Sequence, residues 1–417
     1  MSTDMISDPL PAAEEIVRFR GGLPEPLPVW AGLPRFNFIG GHNDPGLVPV
    51  EAMVRASAAA MNANAPLMAL YNLGHGALGF EGLRNEIARK LADMRGIEAT
   101  RANILVTSGS GQGLDLVNGA LVEPGDTVIV EQFTYSGALN KARKLGAEVV
   151  GAPLDSGGLD VARLGETLDA MERRNVTPKY IYVIPTIQNP TGTVLDLERR
   201  HRLVEMARRY RVPIFEDECY AELTFADQAP PSLYALAPEA VIHIGSFSKT
   251  LAPALRIGYV VAEPASLRQI AALKSDGGTG ALDQMVVAEY LRDGYQAHVR
   301  SLVRSLTDKL EVMLEAIQRE FGASVDVVRP DGGIFVWLKF PDDFDVRTLV
   351  ASAAKRGIVF NPGPEWACDA DAARSFMRLC FALPNAADIR EGVAQLAEVC
   401  FETAGFPRHR ANVERSR

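Results

Sequence analysis

From Glu81 onward the chain alternates short apolar runs with amphipathic ones, and this alternation restricts its fold more than any other feature. The stretch "FEGLRNEIARKLADMRG" has helical periodicity and stops at a glycine, Gly96. Then come "ANILV", "TVIVEQ", "AEVVGAPL", "KYIYVIP", "VPIFED" and "VIHIGS", each short and largely apolar. Helical segments such as "SGALNKARKLG", "DVARLGETLDAMERR" and "DLERRHRLVEMARRYR" separate most of them. Apolar strands of this kind need cover on both faces, so the expected class is α/β, with a largely parallel sheet between helical layers. After about Asp283 the pattern changes to long amphipathic helices. It then gives "GGIFVWLKF", "GIVFNPG" and "SFMRLCFAL", read as strands of a smaller α+β domain. The first 35 or so residues, rich in proline, glycine and acid, read as an arm.

The chain has 417 residues, 47% hydrophobic and 23% charged, enough for two domains with a large core. A net charge of −9 and the absence of a long Lys/Arg block argue against a nucleic-acid partner. No apolar run is long enough to span a membrane. The N-terminus lacks a basic segment followed by an apolar one, so no secretion signal is read and a cytoplasmic location is expected. Cys219, Cys368, Cys380 and Cys400 show no C-x-x-C spacing. They read as reduced, buried thiols rather than disulfides, and no metal is expected.

The chemistry starts at "TSGSGQGLDL", a glycine turn between a strand and a helix. Ser110, Gly111 and Gln112 fall at the helix N-terminus, where free N–H groups and the macrodipole attract anions. Gly111 lets a ligand approach the backbone. The glycines at 109, 111 and 113 do not fit G-x-G-x-x-G, and no G-K-[ST] follows. The turn therefore suggests a phosphate but not a nucleotide; a tight structural turn is the alternative.

Asp217 ends the strand "VPIFED", Tyr220 follows, and Lys249 lies just past "VIHIGS". Strand ends of a parallel sheet line one edge, where ligand crevices form. Taken singly, a carboxylate there caps a helix and a lysine points to water. Taken together, they meet the needs of one cofactor. A lysine amine joins an aldehyde when its environment favours the neutral form. Pyridoxal phosphate (PLP) offers an aldehyde for Lys249 and a pyridine nitrogen for Asp217. Its phenolic oxygen suits Tyr220 and an asparagine. Its phosphate suits the Ser110 turn with Ser246, Ser248 and Arg256, the arginine gripping it bidentately.

The chain resembles the fold-type I PLP-dependent enzymes of the class I/II aminotransferase group, most of all the branch of 2-aminoadipate, kynurenine and aromatic aminotransferases. The resemblance runs from about Phe36 to the end, with motifs in family order: "GGHNDP", "TSGSGQGLDLV", "EQFTYSGAL", "IPTIQNPTG", "EDECYAEL", "GSFSKTLAPALRIGY" and "MRLCFA". It implies a large PLP-binding domain with a mostly parallel seven-stranded sheet covered by helices, and a smaller α+β domain. The expected division is 1–59 for the arm and part of the small domain, 60–290 for the large domain and 291–417 for the rest of the small one. It also implies that Tyr135 stacks on the pyridine ring and that Asn189 meets O3′. Arg378 would grip the substrate carboxylate, with Asn189, Gly40 and Gly41 lining the substrate side. Tyr71, and Thr279 in "DGGTGALDQ", would reach the neighbouring active site of a homodimer. The implied reaction is ping-pong transamination from an L-amino acid to a 2-oxo acid, 2-oxoglutarate being the expected acceptor. A β-lyase or decarboxylase would use the same lysine and aspartate. A non-catalytic sensor module is the other alternative, against which the 39 residues before Gly40 carry no helix-turn-helix pattern.

Several stretches depart from the family. "GGLPEPLP" at Gly21 copies the usual wording of the substrate-side turn better than "GGHNDP" does, but "FNFIGG" fits the segment leading into it, so Gly40 and Gly41 are preferred. His42 and Asn43 replace the usual Leu-Pro. The loop "LYNLGHGALGFEGLR" is longer than its counterparts and brings in His75, and Phe133 stands where a proline is common. Substrate choice is expected to lie in these segments.

Overall fold

The computed structural model describes residues 32–407 apart from 227, together with 21, 26 and 409. The chain divides into a unit of residues 1–33, of which 21, 26, 32 and 33 are described, and a unit of residues 34–417. Most of the expected arm, including Gly22 of the alternative turn, lies outside the described residues.

The larger unit is built on seven strands: β1 (Ile104–Ser108), β2 (Thr127–Glu131), β3 (Glu148–Ala152), β4 (Ile181–Val183), β5 (Ile214–Asp217), β6 (Val241–Ser246) and β7 (Ile257–Val261). Their order is β1-β7-β6-β5-β4-β2-β3. Strands β2 to β6 pair in parallel, and β7 runs antiparallel between β6 and β1. Period-two side chains split the core into two layers. Ile104, Val106, Ile129, Ile181, Val183, Ile214, Tyr259 and Val261 face one layer. Leu105, Val128, Val130, Tyr182, Phe215, Ile242, Ile244 and Val260 face the other. Both layers are apolar because helices cover both, as the continuous apolar runs require.

Local signals set the helix ends. The helix Glu81–Arg95 stops at Gly96, which takes φ 66°, a conformation glycine adopts at low cost. Asp160 and Asp196 accept backbone N–H bonds at the starts of Val161–Arg173 and Leu197–Tyr210. Sequence reading did not anticipate the helix Val50–Asn64, which packs on Ala281–Arg292. The expected divisions at 59/60 and 290/291 both fall inside these helices.

A second, antiparallel sheet holds Asp326–Val327, Phe335–Lys339, Phe376–Cys380 and Asn361–Pro362 in that order. The helices Tyr295–Phe321 and Ala386–Ala404 share its core. Phe36–Asn37 pairs in parallel with Ile358–Val359, and Cys380 N donates to Phe38 O at 2.8 Å. Residues 36–41 thus run beside this sheet, which delivers Gly40 and Gly41 to Arg378. Among the described residues no helix is long and apolar enough to cross a membrane.

Candidate active site

The ends of β1, β2, β4, β5 and β6, and the start of β7, meet at one sheet edge. Three acids are consecutive at the end of β5, and strand alternation sorts them. Glu216 is buried with His243 (Nδ1 at 2.8 Å) and the N–H of Leu233. Glu218 is buried with Arg95 and Thr186. Asp217 points the other way, accepting from Tyr182 Oη at 2.7 Å and Cys219 N at 3.1 Å. It has no cation partner among the described residues, although only 5% of it is exposed.

Lys249 is half-buried and has no carboxylate partner among the described residues. Its Nζ donates to Gly41 O at 2.9 Å. Burial lowers its pKa below the usual lysine value, reinforced by the positive charges of Arg378 and Arg256. A Cβ at Gly41 would collide with Nζ, so only glycine allows this approach. Behind the lysine, the Tyr295 hydroxyl bridges Thr250 and Glu222, and Glu222 pairs with buried Lys90. Lys90 also donates to Tyr259 Oη at 3.0 Å. One buried ion pair thus braces both the 217–223 and the 246–250 stretches.

The anion site is equally specific. The twelve-residue helix Ser110–Leu121 has no side-chain cap. A Cβ at Gly111 would meet nothing within 4 Å, so space lies open over its first turn. Arg256 takes φ 52° and donates from Nη2 to Ser108 O at 3.2 Å. A Cβ at Gly109 would strike that guanidinium, and one at Gly258 would strike Gly109 and Ser110 backbone. The Ser246 hydroxyl accepts from Ser248 N at 3.1 Å. Ser110, Gly111, Tyr135, Asn189, Asp217, Tyr220, Ser246, Ser248, Lys249 and Arg256 line one cavity of about 180 Å³ with Ile184, Cys219 and Pro253. Size does not single this cavity out, since a cleft beside Glu222, Gln296 and Arg300 reaches about 700 Å³. Its chemistry does: a half-buried amine, a buried carboxylate, an aromatic ring and a helix N-terminus with an arginine fit the aldehyde, pyridine and phosphate of PLP.

Arg378 sits next to this cavity. Nη1 donates to Asn189 Oδ1 at 2.8 Å; Nη2 donates to Asn361 Oδ1 at 2.7 Å and Gly40 O at 3.4 Å. The guanidinium carbon is 3.7 Å from the ring centroid of Phe335 and 3.5 Å from that of Trp366. Burial lowers its pKa to about 10, so it stays charged near neutral pH. Tyr182, Asn361, Phe335 and Trp366 were not singled out from sequence. Asn361 lies in "GIVFNPG", expected as a small-domain strand, and Trp366 follows it in "NPGPEW".

Other expected residues lie apart. Gln112 turns its side chain away, accepting from Ser108 N at 2.8 Å and donating to Asp276 at 2.5 Å. Tyr71 is 89% exposed and lies outside this chain's own cavity. Thr279 is buried, 3.3 Å from Ser108 Oγ. His75 Nδ1 accepts from Glu81 N at 3.0 Å, His42 is exposed, and Asn43 donates to Leu251 O at 3.3 Å.

The family described as "Aminotransferase class I and II" matches residues 44–396. The chain is 34% identical over 328 residues to aromatic-amino-acid aminotransferase 1 of Thermococcus litoralis, covering 78% of each chain. Its structure is similar to that of an alpha-aminoadipate aminotransferase from Thermus thermophilus complexed with N-(5'-phosphopyridoxyl)-L-leucine, with a TM-score of 0.81, 31% identity and coverage of 89% and 93% of the two chains. It is likewise similar to Pyrococcus horikoshii kynurenine aminotransferase, with a TM-score of 0.82, 31% identity and coverage of 88% and 91%. The chain belongs to the class I and II aminotransferases. It is a PLP-dependent transaminase of fold type I that acts on small-molecule amino acids and oxo acids.

Proposed function

We propose that the cavity at the sheet edge is the transamination site, with Lys249 as the reactive amine and 2-oxoglutarate as the amino acceptor. The observation that carries this reading is that Asp217, buried, and Lys249, half-buried, line the same cavity, neither with an ion-pair partner among the described residues. A buried charge normally pairs or neutralises. Two that remain apart across a cavity suit a ligand that engages each.

When bound, PLP supplies an aldehyde that condenses with amines and a protonated ring that withdraws electrons from the substrate α-carbon. Lys249 Nζ, its pKa lowered by burial, is more readily neutral and able to join that aldehyde. The same Nζ, free and close to the substrate α-carbon, would take the proton from that carbon and redeliver it, as general base and then acid. Asp217, held by Tyr182 and Cys219 N, would keep the ring nitrogen protonated. Tyr220 and Asn189 would meet the phenolic oxygen, and Tyr135 would cover the ring. Ser110, Gly111, Ser246, Ser248 and Arg256 hold the phosphate, with the Gln112 backbone completing the helix turn. Arg378, steadied by Asn189 and Asn361, takes the substrate carboxylate beside Gly40 and Gly41.

The assembly is a homodimer with shared sites. Val50, Val54, Met61, Met68, Leu70 and Tyr71 are apolar or aromatic, exposed, and gathered along one stretch. A run of this kind is an interface when a second copy covers it. Tyr71 then serves the partner's site, whereas Thr279, buried beside Ser108 of its own chain, does not. The cofactor-holding part runs from Val50 to Arg292, and residues 34–49 join 293–407 in the smaller part. The protein acts in the cytoplasm without nucleic acid.

The cofactor-loaded enzyme, mixed with a panel of amino acids and no oxo acid, should release one equivalent of oxo acid per site and stop. Turnover should resume when 2-oxoglutarate is added. Release of carbon dioxide or ammonia in place of the oxo acid would contradict transamination.

A further inference from the structure

Arg378 and its neighbour leave hydrogen-bond donors unused. Both terminal nitrogens of Arg378 are engaged, but among the described residues its Nε–H has no acceptor, although only 2% of the residue is exposed. The indole of Trp366, 5% exposed, covers the same guanidinium, and its Nε1–H also lacks an acceptor. Buried donors are nearly always satisfied, and two in contact at one site call for a shared explanation. Neither group can accept a hydrogen bond, so what completes them is an acceptor. Beside a charged guanidinium that acceptor is best an anion.

The indole is held firmly. Thr134 N donates to Trp366 O at 2.8 Å, Phe133 bridges to Ala367, and the Tyr135 ring is 6.1 Å away. Trp337 Nε1 is also without an acceptor, but its ring is stacked on Phe376 at 5.2 Å and lies 5.7 Å from Phe133. Trp366 is the indole in contact with the guanidinium.

We propose that the indole N–H of Trp366 is a second donor to the substrate carboxylate, acting beside Arg378. The inference rests on Arg378 being the carboxylate anchor. A phenylalanine at 366 would keep the ring over the guanidinium and lose only the hydrogen bond. The site therefore reads a carboxylate through a guanidinium and an indole together, and both half-reactions depend on Trp366, because donor and acceptor substrates share that group.

The test uses cofactor-loaded enzyme labelled with nitrogen-15 at its three tryptophan indoles and titrated with glutarate, an unreactive diacid. One indole N–H resonance should move downfield on binding, and that resonance should be missing from Trp366→Phe. By calorimetry Trp366→Phe should bind glutarate roughly tenfold more weakly, the loss of one hydrogen bond to a charged group. Arg378→Lys should bind it more weakly still. If the Trp366 resonance does not move and Trp366→Phe binds as tightly as wild type while Arg378→Lys does not, the indole is structural and the inference is overturned. If Arg378→Lys binds glutarate as tightly as wild type, the carboxylate anchor itself is wrong and the inference goes with it. The resonance shift is read on the unmodified protein, so it does not depend on a variant folding.

Discussion

The two halves of the active site are built differently. One half lies at the edge of the parallel sheet, where β1, β5, β6 and β7 present Ser110, Asp217, Ser246, Lys249 and Arg256. Strand register fixes these positions, and a buried ion pair braces them from behind. The other half is Arg378 on the antiparallel sheet, with Asn361 opposite it on the next strand and Gly40, Asn189 and Trp366 brought in from outside the sheet. Its parts come from stretches far apart in the chain and are held by side-chain packing. The difference suggests a division of labour, with chemistry on the rigid edge and substrate recognition on the loop-built side.

Replacement on the sheet side should therefore abolish chemistry. Lys249→Ala should lower kcat by at least about a thousandfold, at the upper part of what positioned proton transfer supplies. A variant retaining a tenth of the rate would break the comparison at its strongest point. On the loop-built side Arg378→Lys should raise KM for amino and oxo acid roughly 10- to 100-fold, since lysine cannot reproduce the two-nitrogen contact to a carboxylate. Steady-state kinetics would show a smaller change in kcat than in KM.

The brace behind the sheet edge should matter to folding before it matters to substrate. Glu222→Leu leaves the Lys90 ammonium buried and unpaired and should cost about 3–5 kcal/mol. Chemical denaturation would measure this, and the double variant Lys90→Met with Glu222→Leu should recover most of it. Equal loss in the single and double variants would mean the pair has no bracing role. The smallest effect concerns Glu131, at the end of β2. Burial pushes its carboxyl up to about 8, so the folded chain keeps a proton that the unfolded chain releases. Stability from this group is full below the ordinary carboxylate range and is lost as pH rises through about 8. Glu131→Gln should flatten the fall in melting temperature between pH 5 and 8, and an unchanged slope would assign that fall elsewhere.

The same contrast explains what could be read from the sequence. Continuous apolar runs gave away the covered parallel sheet, and polar residues at the ends of such runs gave away Asp217, Ser246 and Lys249. Arg378 was reached only through family resemblance, because nothing local distinguishes one arginine on an antiparallel strand. Asn361 lies in an expected strand, but its pairing with Arg378 is set by sheet register, and Trp366 meets Arg378 only through the fold. The helix Val50–Asn64 escaped because its outward face is apolar where a monomer's would be polar, which blurs the period. Strand β7 was hidden inside the lysine motif, whose chemistry drew attention from its secondary structure. Alternation within β5, visible in hindsight, separates Asp217 from its two acidic neighbours.

Lys249 as the amine that joins the cofactor is open to a direct test: borohydride reduction of the PLP-loaded enzyme, followed by proteolysis and mass spectrometry. One pyridoxyl group per chain should appear on the peptide carrying Lys249, with the visible absorption of the cofactor lost in step. A stoichiometric label on any other lysine, or none on a protein that still transaminates, would contradict it.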